Sequence, residues 1–171
     1  MNKTKTLTVS AMLAALACVA TLINVPSVDG YKNLGDCIVL LSGCLLGPLY
    51  GALAAGIGSA LSDIILGYAY YAPATLVIKG VMALMCGYAF KKTDVKIKPV
   101  HILVMLIAEA VMVGGYFAYS LLIVGSEAAA AIESIPGNVL QGVVGIVGAV
   151  LLLQVFCKNK ALQKLLDGCR K

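Results

Sequence analysis

The sequence predicts an all-α integral membrane protein, a bundle of six transmembrane helices with its N- and C-termini in the cytoplasm. Three observations support this fold class: 61% of the 171 residues are hydrophobic, only 12% are charged, and the basic residues cluster in three short segments. Ordinary soluble domains are about 45–50% apolar and about 25% charged. A chain with so few charges has too few polar groups to cover a water-facing surface, so soluble and disordered classes fit poorly.

Six apolar stretches define the predicted helices, and we expect them to form one membrane domain over residues 1–171. A spanning helix needs about 20 residues, and a backbone in lipid must satisfy its own hydrogen bonds as a helix. The turn signal at residues 47–51 separates the second stretch, which is short, from the third. The predicted spans are residues 7–25, 37–49, 50–68, 74–90, 100–124 and 139–157.

Charge placement predicts the orientation of the bundle. Eleven of the 13 basic residues lie before the first span, between the fourth and fifth, or after the sixth. The positive-inside rule places these segments in the cytoplasm, and six spans agree with two cytoplasmic termini. The net charge of +5 is therefore an orientation signal, and the expected partner is the lipid bilayer, with no nucleic acid. We expect the first span to be retained, since its removal as a signal peptide would leave five spans.

Four ionisable residues lie in or at the edge of the spans, where such groups are functional candidates by default. Asp63 and Lys79 fall at similar depth on adjacent spans, which predicts an ion pair, either structural or functional. Asp36 follows Gly35 at the start of the second span and is either a helix cap or part of a site. Glu109 lies near mid-membrane with no obvious basic partner at that depth.

Polar and aromatic side chains gather in the outer half of the predicted bundle. Tyr116 lies on the same helix face as Glu109, and Asn138 and Gln141 open the sixth span. Tyrosines of the first and second outer loops add stacking rings. A concave site of this composition suits a flat, polar small molecule. An interfacial tyrosine belt is the alternative, and it explains the loop tyrosines better than the buried polar groups.

Small residues recur at four-residue spacing on the first span, which allows another helix to approach closely. They are Ala11, Ala14, Ala15 and Cys18. Two interpretations stay open: packing inside the bundle, or docking of a partner's helix on an outward face.

Catalytic and nucleotide-binding signatures are missing from the sequence. It has no phosphate-binding loop, no Ser/His/Asp set, no metal-ligand cluster and no cofactor fingerprint. We therefore predict that the chain is not an enzyme, binds no cofactor or metal, and does not itself hydrolyse ATP.

Two motifs resemble those of a known transporter family. The run Gly-Tyr-Lys-Asn-Leu-Gly-Asp at residues 30–36 resembles the first-loop motif of the substrate-binding S components of energy-coupling factor (ECF) transporters. Residues 67–80, which follow the small-residue third span, are similar to the continuation in the same family. The chain most resembles the branch assigned to riboflavin, pyridoxine or hydroxymethylpyrimidine uptake, and it lacks the tryptophans of the thiamine-type pocket.

The resemblance implies a six-helix S-component fold in the plasma (inner) membrane of a bacterium. It implies a vitamin or vitamin precursor bound near the outer face beneath the first loop. It also implies that the first helix docks, through the small residues named above, on a transmembrane T subunit that two cytoplasmic ATPases drive. A self-sufficient small carrier or channel, and a non-transporting scaffold protein, are the alternatives.

The predicted substrate-binding set combines the residues matched by the resemblance with those found from the chemistry of the outer half. Asn33 and Asp36 match the first-loop motif, and Lys79 matches the fourth-helix motif. The full set is Tyr31, Asn33, Asp36, Tyr70, Lys79, Glu109, Tyr116, Asn138 and Gln141.

Overall fold

The computed structural model describes residues 3–27, 30–90 and 97–159, excluding the side chains of residues 27 and 30. The chain forms helices and one short hairpin within these ranges. They are α1 (Lys3–Leu22), β1 (Asn24–Ser27), β2 (Gly30–Asn33), α2 (Asp36–Leu46), α3 (Pro48–Ile65), α4 (Ala72–Phe90), α5 (Pro99–Tyr119, continued by the π-helical Ser120–Val124) and α6 (Ala128–Lys158). The basic segments 91–96 and 160–171, which carry much of the orientation prediction, lie outside the described residues.

Five of the described helices are long and apolar enough to cross a membrane: α1, α3, α4, α5 with its π-helical extension, and α6. The second predicted span, residues 37–49, is instead the 11-residue helix α2. At 1.5 Å per residue it is about 16 Å long, roughly half of a hydrocarbon core. It begins deep in the bundle because the chain that precedes it enters from the hairpin, and its first residue, Asp36, is fully buried.

The sixth span differs most from its predicted bounds. Helix α6 begins at Ala128 rather than at residue 139 and runs through Pro136. The predicted start at residue 139 is wrong: alanines favour helix before Pro136, and spanning helices tolerate proline where neighbouring groups satisfy the freed backbone. With 31 residues, α6 is about 46 Å long.

The helices pack as a bundle around α3 and α4. Helix α1 packs mainly on α3, α2 contacts α4, α3 and α6, and α5 contacts α4 and α6. The strands β1 and β2 pair antiparallel, with Asn24 opposite Asn33 and Val25 opposite Lys32. This hairpin, absent from the sequence prediction, forms because the backbone between α1 and α2 satisfies its own hydrogen bonds. We call this end of the bundle the hairpin end.

Glycines allow the closest helix contacts. A Cβ added at Gly43 on α2 would collide with the carbonyl oxygen of Ala83 on α4, and one added at Gly58 on α3 would collide with the carbonyl oxygen of Ala14 on α1. Both clashes involve backbone atoms, which cannot move without displacing a helix. The small-residue pattern of the third span therefore serves packing within the bundle.

Gly43→Ala is expected to lower the free energy of unfolding by about 1–3 kcal/mol, the usual range for overpacking. Gly114→Ala on α5 is the matched control, because a Cβ there meets nothing within 4 Å and alanine favours helix by about 1 kcal/mol. Unfolding in detergent, followed by circular dichroism, measures both. Equal stability of the two variants would contradict this account of the α2–α4 contact.

Candidate substrate-binding site

A pocket opens at the hairpin end between the hairpin and helices α1, α3, α4, α5 and α6. It encloses about 530 Å³ of empty space, counted with its open mouth. Its wall is made of polar and aromatic side chains. They are Thr21, Tyr31, Lys32, Asn33, Ser59, Asp63, Tyr68, Tyr71, Thr75, Lys79, Tyr116, Ser134, Asn138 and Gln141.

Tyrosine rings form a connected series along one side of the pocket. The ring centroids of Tyr31 and Tyr68 are 5.2 Å apart, those of Tyr68 and Tyr70 6.1 Å, and those of Tyr70 and Tyr71 5.0 Å. Tyr71 then meets Tyr116 edge-on at 6.3 Å. These separations are typical of favourable aromatic pairs. The rings give the pocket flat apolar faces, and two of their hydroxyls are engaged within the protein: that of Tyr31 donates to Asp63, and that of Tyr116 lies 3.0 Å from the hydroxyl of Thr75.

A buried ion pair lies near Tyr116, at the end of the tyrosine series. The ammonium of Lys79 on α4 donates to Oδ1 of Asp36 on α2, and both side chains are at most 3% exposed. The amide of Gln141 on α6 donates to Oδ2 of Asp36 at 2.7 Å, and its oxygen accepts from the backbone N–H of Asn33 at 2.8 Å. Lys79 also lies 5.4 Å from the ring centroid of Tyr116. Asp36 thus joins α2, α4 and α6, and Gln141 ties this network to the hairpin.

The predicted ion pair between Asp63 and Lys79 is wrong. Asp63 instead accepts a hydrogen bond from the hydroxyl of Tyr31, so the third helix is linked to the hairpin. Sequence depth placed Asp63 and Lys79 at one level, but it did not show that the short α2 brings Asp36 to the same level. Burial and the neighbouring Asp63 carboxyl raise the pKa of Tyr31 above its usual range, so this hydroxyl remains a donor.

Asp36 is also not the cap of α2. Gly35 is the N-cap residue, and no side chain caps the helix there. Of the two alternatives for Asp36, the structure supports a role in buried polar contacts.

Glu109 lies behind the pocket wall rather than in it. It is 5% exposed, and neither carboxyl oxygen has a hydrogen-bond partner within the described residues. Its oxygens lie so close to α6 that added Cβ atoms at Gly142 and Gly145 would be 3.0 and 3.1 Å from them. A Cβ added at Gly145 would also be 2.7 Å from Cβ of Asp36. The two glycines therefore make room for the side chains of Glu109 and Asp36.

The structure brings most of the predicted binding residues together. Those that line the pocket are Tyr31, Asn33, Lys79, Tyr116, Asn138 and Gln141. Asp36 and Glu109 lie beneath them, and Tyr70, which is 52% exposed, lies outside the lining in the tyrosine series.

Several lining residues were not predicted. Sequence reasoning missed Thr21, Ser59, Thr75 and Ser134, because hydroxyl residues are ordinary in spanning helices and only packing shows which ones face a cavity. The clustered tyrosines at 68–71 were the available signal for Tyr68 and Tyr71, and the first-loop motif was the signal for Lys32.

The predicted docking residues divide between two faces of α1. Ala11 and Ala15 are exposed, whereas Ala14 and Cys18 are partly buried. The carbonyl of Ala14 lies against Gly58 of α3. Ala14 therefore packs within the bundle, and Ala11 and Ala15 remain as small residues on an outward face.

Helices of spanning length around a polar, tyrosine-walled pocket define a membrane protein built to hold a small solute. A family model described as "ECF-type riboflavin transporter, S component" matches residues 1–158. The chain therefore belongs to this family of transport proteins, which confirms the resemblance and the prediction that it is not an enzyme.

Two further comparisons give a relative and a fold. An uncharacterized protein in the gap 3′ region of Pyrococcus woesei is 37% identical over 125 residues, which cover 73% of this chain and 81% of the relative. The crystal structure of FolT bound with folic acid is similar with a TM-score of 0.69 and 15% identity, covering 93% of this chain and 97% of that one. The second likeness shows that the fold is that of FolT.

Proposed function

We propose that this protein is the substrate-capture subunit of an ATP-driven importer and that its substrate is riboflavin. The pocket at the hairpin end is the observation that carries the proposal, because it joins a series of tyrosine rings to a cluster of buried polar groups. The description of the matching family supports riboflavin over pyridoxine and hydroxymethylpyrimidine, and the folic acid in FolT supports a vitamin as the class of ligand.

Riboflavin combines a flat ring system with a chain of hydroxyl groups, and the pocket offers partners for both. Rings of Tyr68 and Tyr71 present faces and edges for stacking. Lys79, Asn138 and Gln141 line the same pocket and carry donors and acceptors. Fixed polar groups beside flat aromatic faces are what orient a ligand of this kind.

The hairpin acts as the cover of the pocket in the proposed capture step. Tyr31, Lys32 and Asn33 of β2 all line the cavity, and bonds to Asp63 and Gln141 hold the strand against α3 and α6. Substrate enters from outside when these two contacts open and is enclosed when they re-form. The hairpin end faces outward in this proposal, since the basic segments lie at the other ends of the spans.

Delivery requires partners, which we infer from the family. The exposed Ala11 and Ala15 on α1 form the contact with a transmembrane T subunit, and two cytoplasmic ATPases supply the energy. The complex resides in the plasma membrane of a bacterium.

Purified protein is expected to bind riboflavin saturably and to quench its fluorescence, because stacking on tyrosine quenches flavin emission. A titration in detergent measures this, with pyridoxine and hydroxymethylpyrimidine as competitors and Glu133→Gln, at an exposed acid outside the pocket, as a variant that should bind unchanged. Absence of saturable binding would overturn riboflavin as the substrate. Riboflavin uptake by vesicles that contain this chain alone would overturn the ATP-driven mechanism and favour a self-sufficient carrier.

A further inference from the structure

Three buried oxygens on the α1–α3 side of the pocket have no hydrogen-bond partner among the described residues. They are Oγ1 of Thr21, Oγ of Ser59 and Oδ2 of Asp63. Their residues are 2%, 0% and 3% exposed, respectively, and all three line the pocket. Buried polar atoms are nearly always hydrogen-bonded in native proteins, so a group of three around one cavity requires an explanation.

Nearby hydroxyls of the same type are satisfied. Ser62, one turn along α3 from Ser59, donates to the carbonyl of Ser59 at 2.7 Å. Ser10 on α1 donates to the carbonyl of Thr6 at 2.8 Å, and Ser134 on α6 donates to that of Ala131 at 2.8 Å. These three buried hydroxyls each donate to a backbone carbonyl of their own helix. Thr21 and Ser59 depart from this pattern at the pocket.

We propose that Thr21, Ser59 and Asp63 form a hydrogen-bonding subsite that receives an N–H or O–H edge of the substrate. The inference rests on the proposed function and adds to it the chemistry of one end of the ligand. An ionised carboxylate only accepts hydrogen bonds, whereas hydroxyls both donate and accept, so the group that meets the ionised Asp63 must be a donor. We call these three residues the acceptor subsite.

The acceptor subsite is held in place when the hairpin covers the pocket. The other oxygen of Asp63 accepts from Tyr31, which fixes the carboxylate plane. The hydroxyl of Thr21 lies against Gly35, and a Cβ added at Gly35 would collide with that hydroxyl. Hydrogen bonds from groups fixed in this way lose little conformational freedom on binding, which favours both affinity and selectivity.

The subsite also gives the substrate a direct contact with α1. Thr21 is near the end of the helix that carries the exposed Ala11 and Ala15. A ligand bonded to Thr21 therefore touches the same rigid element that we propose for docking.

The test compares riboflavin binding by Asp63→Asn, Thr21→Val and Ser59→Ala with that of the unaltered protein. We expect the dissociation constant to rise about tenfold or more for Asp63→Asn and about three- to tenfold for each hydroxyl deletion, as for hydrogen bonds with and without a charged partner. Ser10→Ala and Ser62→Ala are the controls, since they remove buried hydroxyls of α1 and α3 outside the pocket. Thermal unfolding of each variant shows that the fold is retained.

Two analogues identify which edge of the ligand the subsite receives. If the ring imide N–H is the donor, methylation of that nitrogen weakens binding to the unaltered protein and Asp63→Asn adds no further loss. If the side-chain hydroxyls are the donors, lumiflavin, which lacks them, binds the unaltered protein more weakly than riboflavin does, and Asp63→Asn adds no further loss. Either pattern supports the proposal.

Two results would count against it in different ways. Riboflavin binding by the unaltered protein, with all three pocket variants binding as tightly as the two controls, would overturn the acceptor subsite and leave the proposed function standing. An unaltered protein that binds no riboflavin would overturn the proposed function and, with it, this inference.

Discussion

Lys79→Met is expected to lower the free energy of unfolding by about 3–5 kcal/mol, the usual result of removing one partner of a buried ion pair. Lys79 and Asp36 are 2% and 0% exposed, so the carboxylate left behind has neither a counter-charge nor bulk water. Glu109 enlarges this loss of stability, because it is a second acid that lies, like Asp36, against Gly145 of α6. Chemical unfolding in detergent, followed by circular dichroism, measures the change.

A double variant separates the lost charge balance from a general loss of packing. Lys79→Met with Asp36→Leu removes both charges, and it should recover most of the stability, because apolar replacements of a whole buried pair are often neutral. Lys158→Met, at an exposed lysine near the end of α6, should change stability by no more than about 0.5 kcal/mol. A double variant no more stable than Lys79→Met alone would show that the pair contributes nothing specific.

Ala11→Trp combined with Ala15→Trp is expected to abolish assembly with the T subunit and ATPases, and with it riboflavin uptake. Both alanines are exposed on α1, and two indole rings would prevent the close helix approach that small residues permit. The pocket lies at the hairpin end, so riboflavin binding by the isolated protein should stay within about twofold, less than a single hydrogen bond is worth. Co-purification of the complex and uptake in whole cells measure the first effect, and a binding titration measures the second.

Ala110→Trp is the matched control for this surface. Ala110 is exposed on α5, so the change adds the same bulk to a different helix. It should leave both assembly and binding intact. An Ala11/Ala15 variant that still assembles would remove α1 from the docking contact, and loss of assembly by Ala110→Trp would show that the partner covers α5 as well.

The sequence was sufficient to predict much of the fold, because a backbone in lipid must satisfy its own hydrogen bonds. A long apolar run must be a helix, so α1, α4 and α5 begin and end within about four residues of their predicted bounds. The same rule did not set the length of α2, since a short helix buried within the bundle has the same apolar composition as a spanning one. The start of the sixth span was predicted too late, because the effect of Pro136 on a helix depends on neighbouring groups that the sequence does not identify.

The site was predictable in composition and less so in geometry. The polarity of Asp36, Lys79 and Gln141 marked them as candidates, but their joint hydrogen bonds depend on how far α2 extends into the bundle. The sequence gives the depth of a residue along its helix but not the direction in which its side chain points. Asp63 was therefore paired with Lys79 rather than with Tyr31. Hydroxyl residues such as Thr21 carry no signal until packing shows which of them lack a carbonyl partner.

The length of α6 lets one helix connect the membrane interior with the cover of the pocket. Its 31 residues extend about 46 Å, whereas a hydrocarbon core is about 30 Å thick. Glu133 and Asn138 lie in the first half of the helix, and these polar residues suit a segment that projects beyond the core. Gln141 of the same half accepts a hydrogen bond from the hairpin, so a displacement of this half of α6 is transmitted directly to the cover.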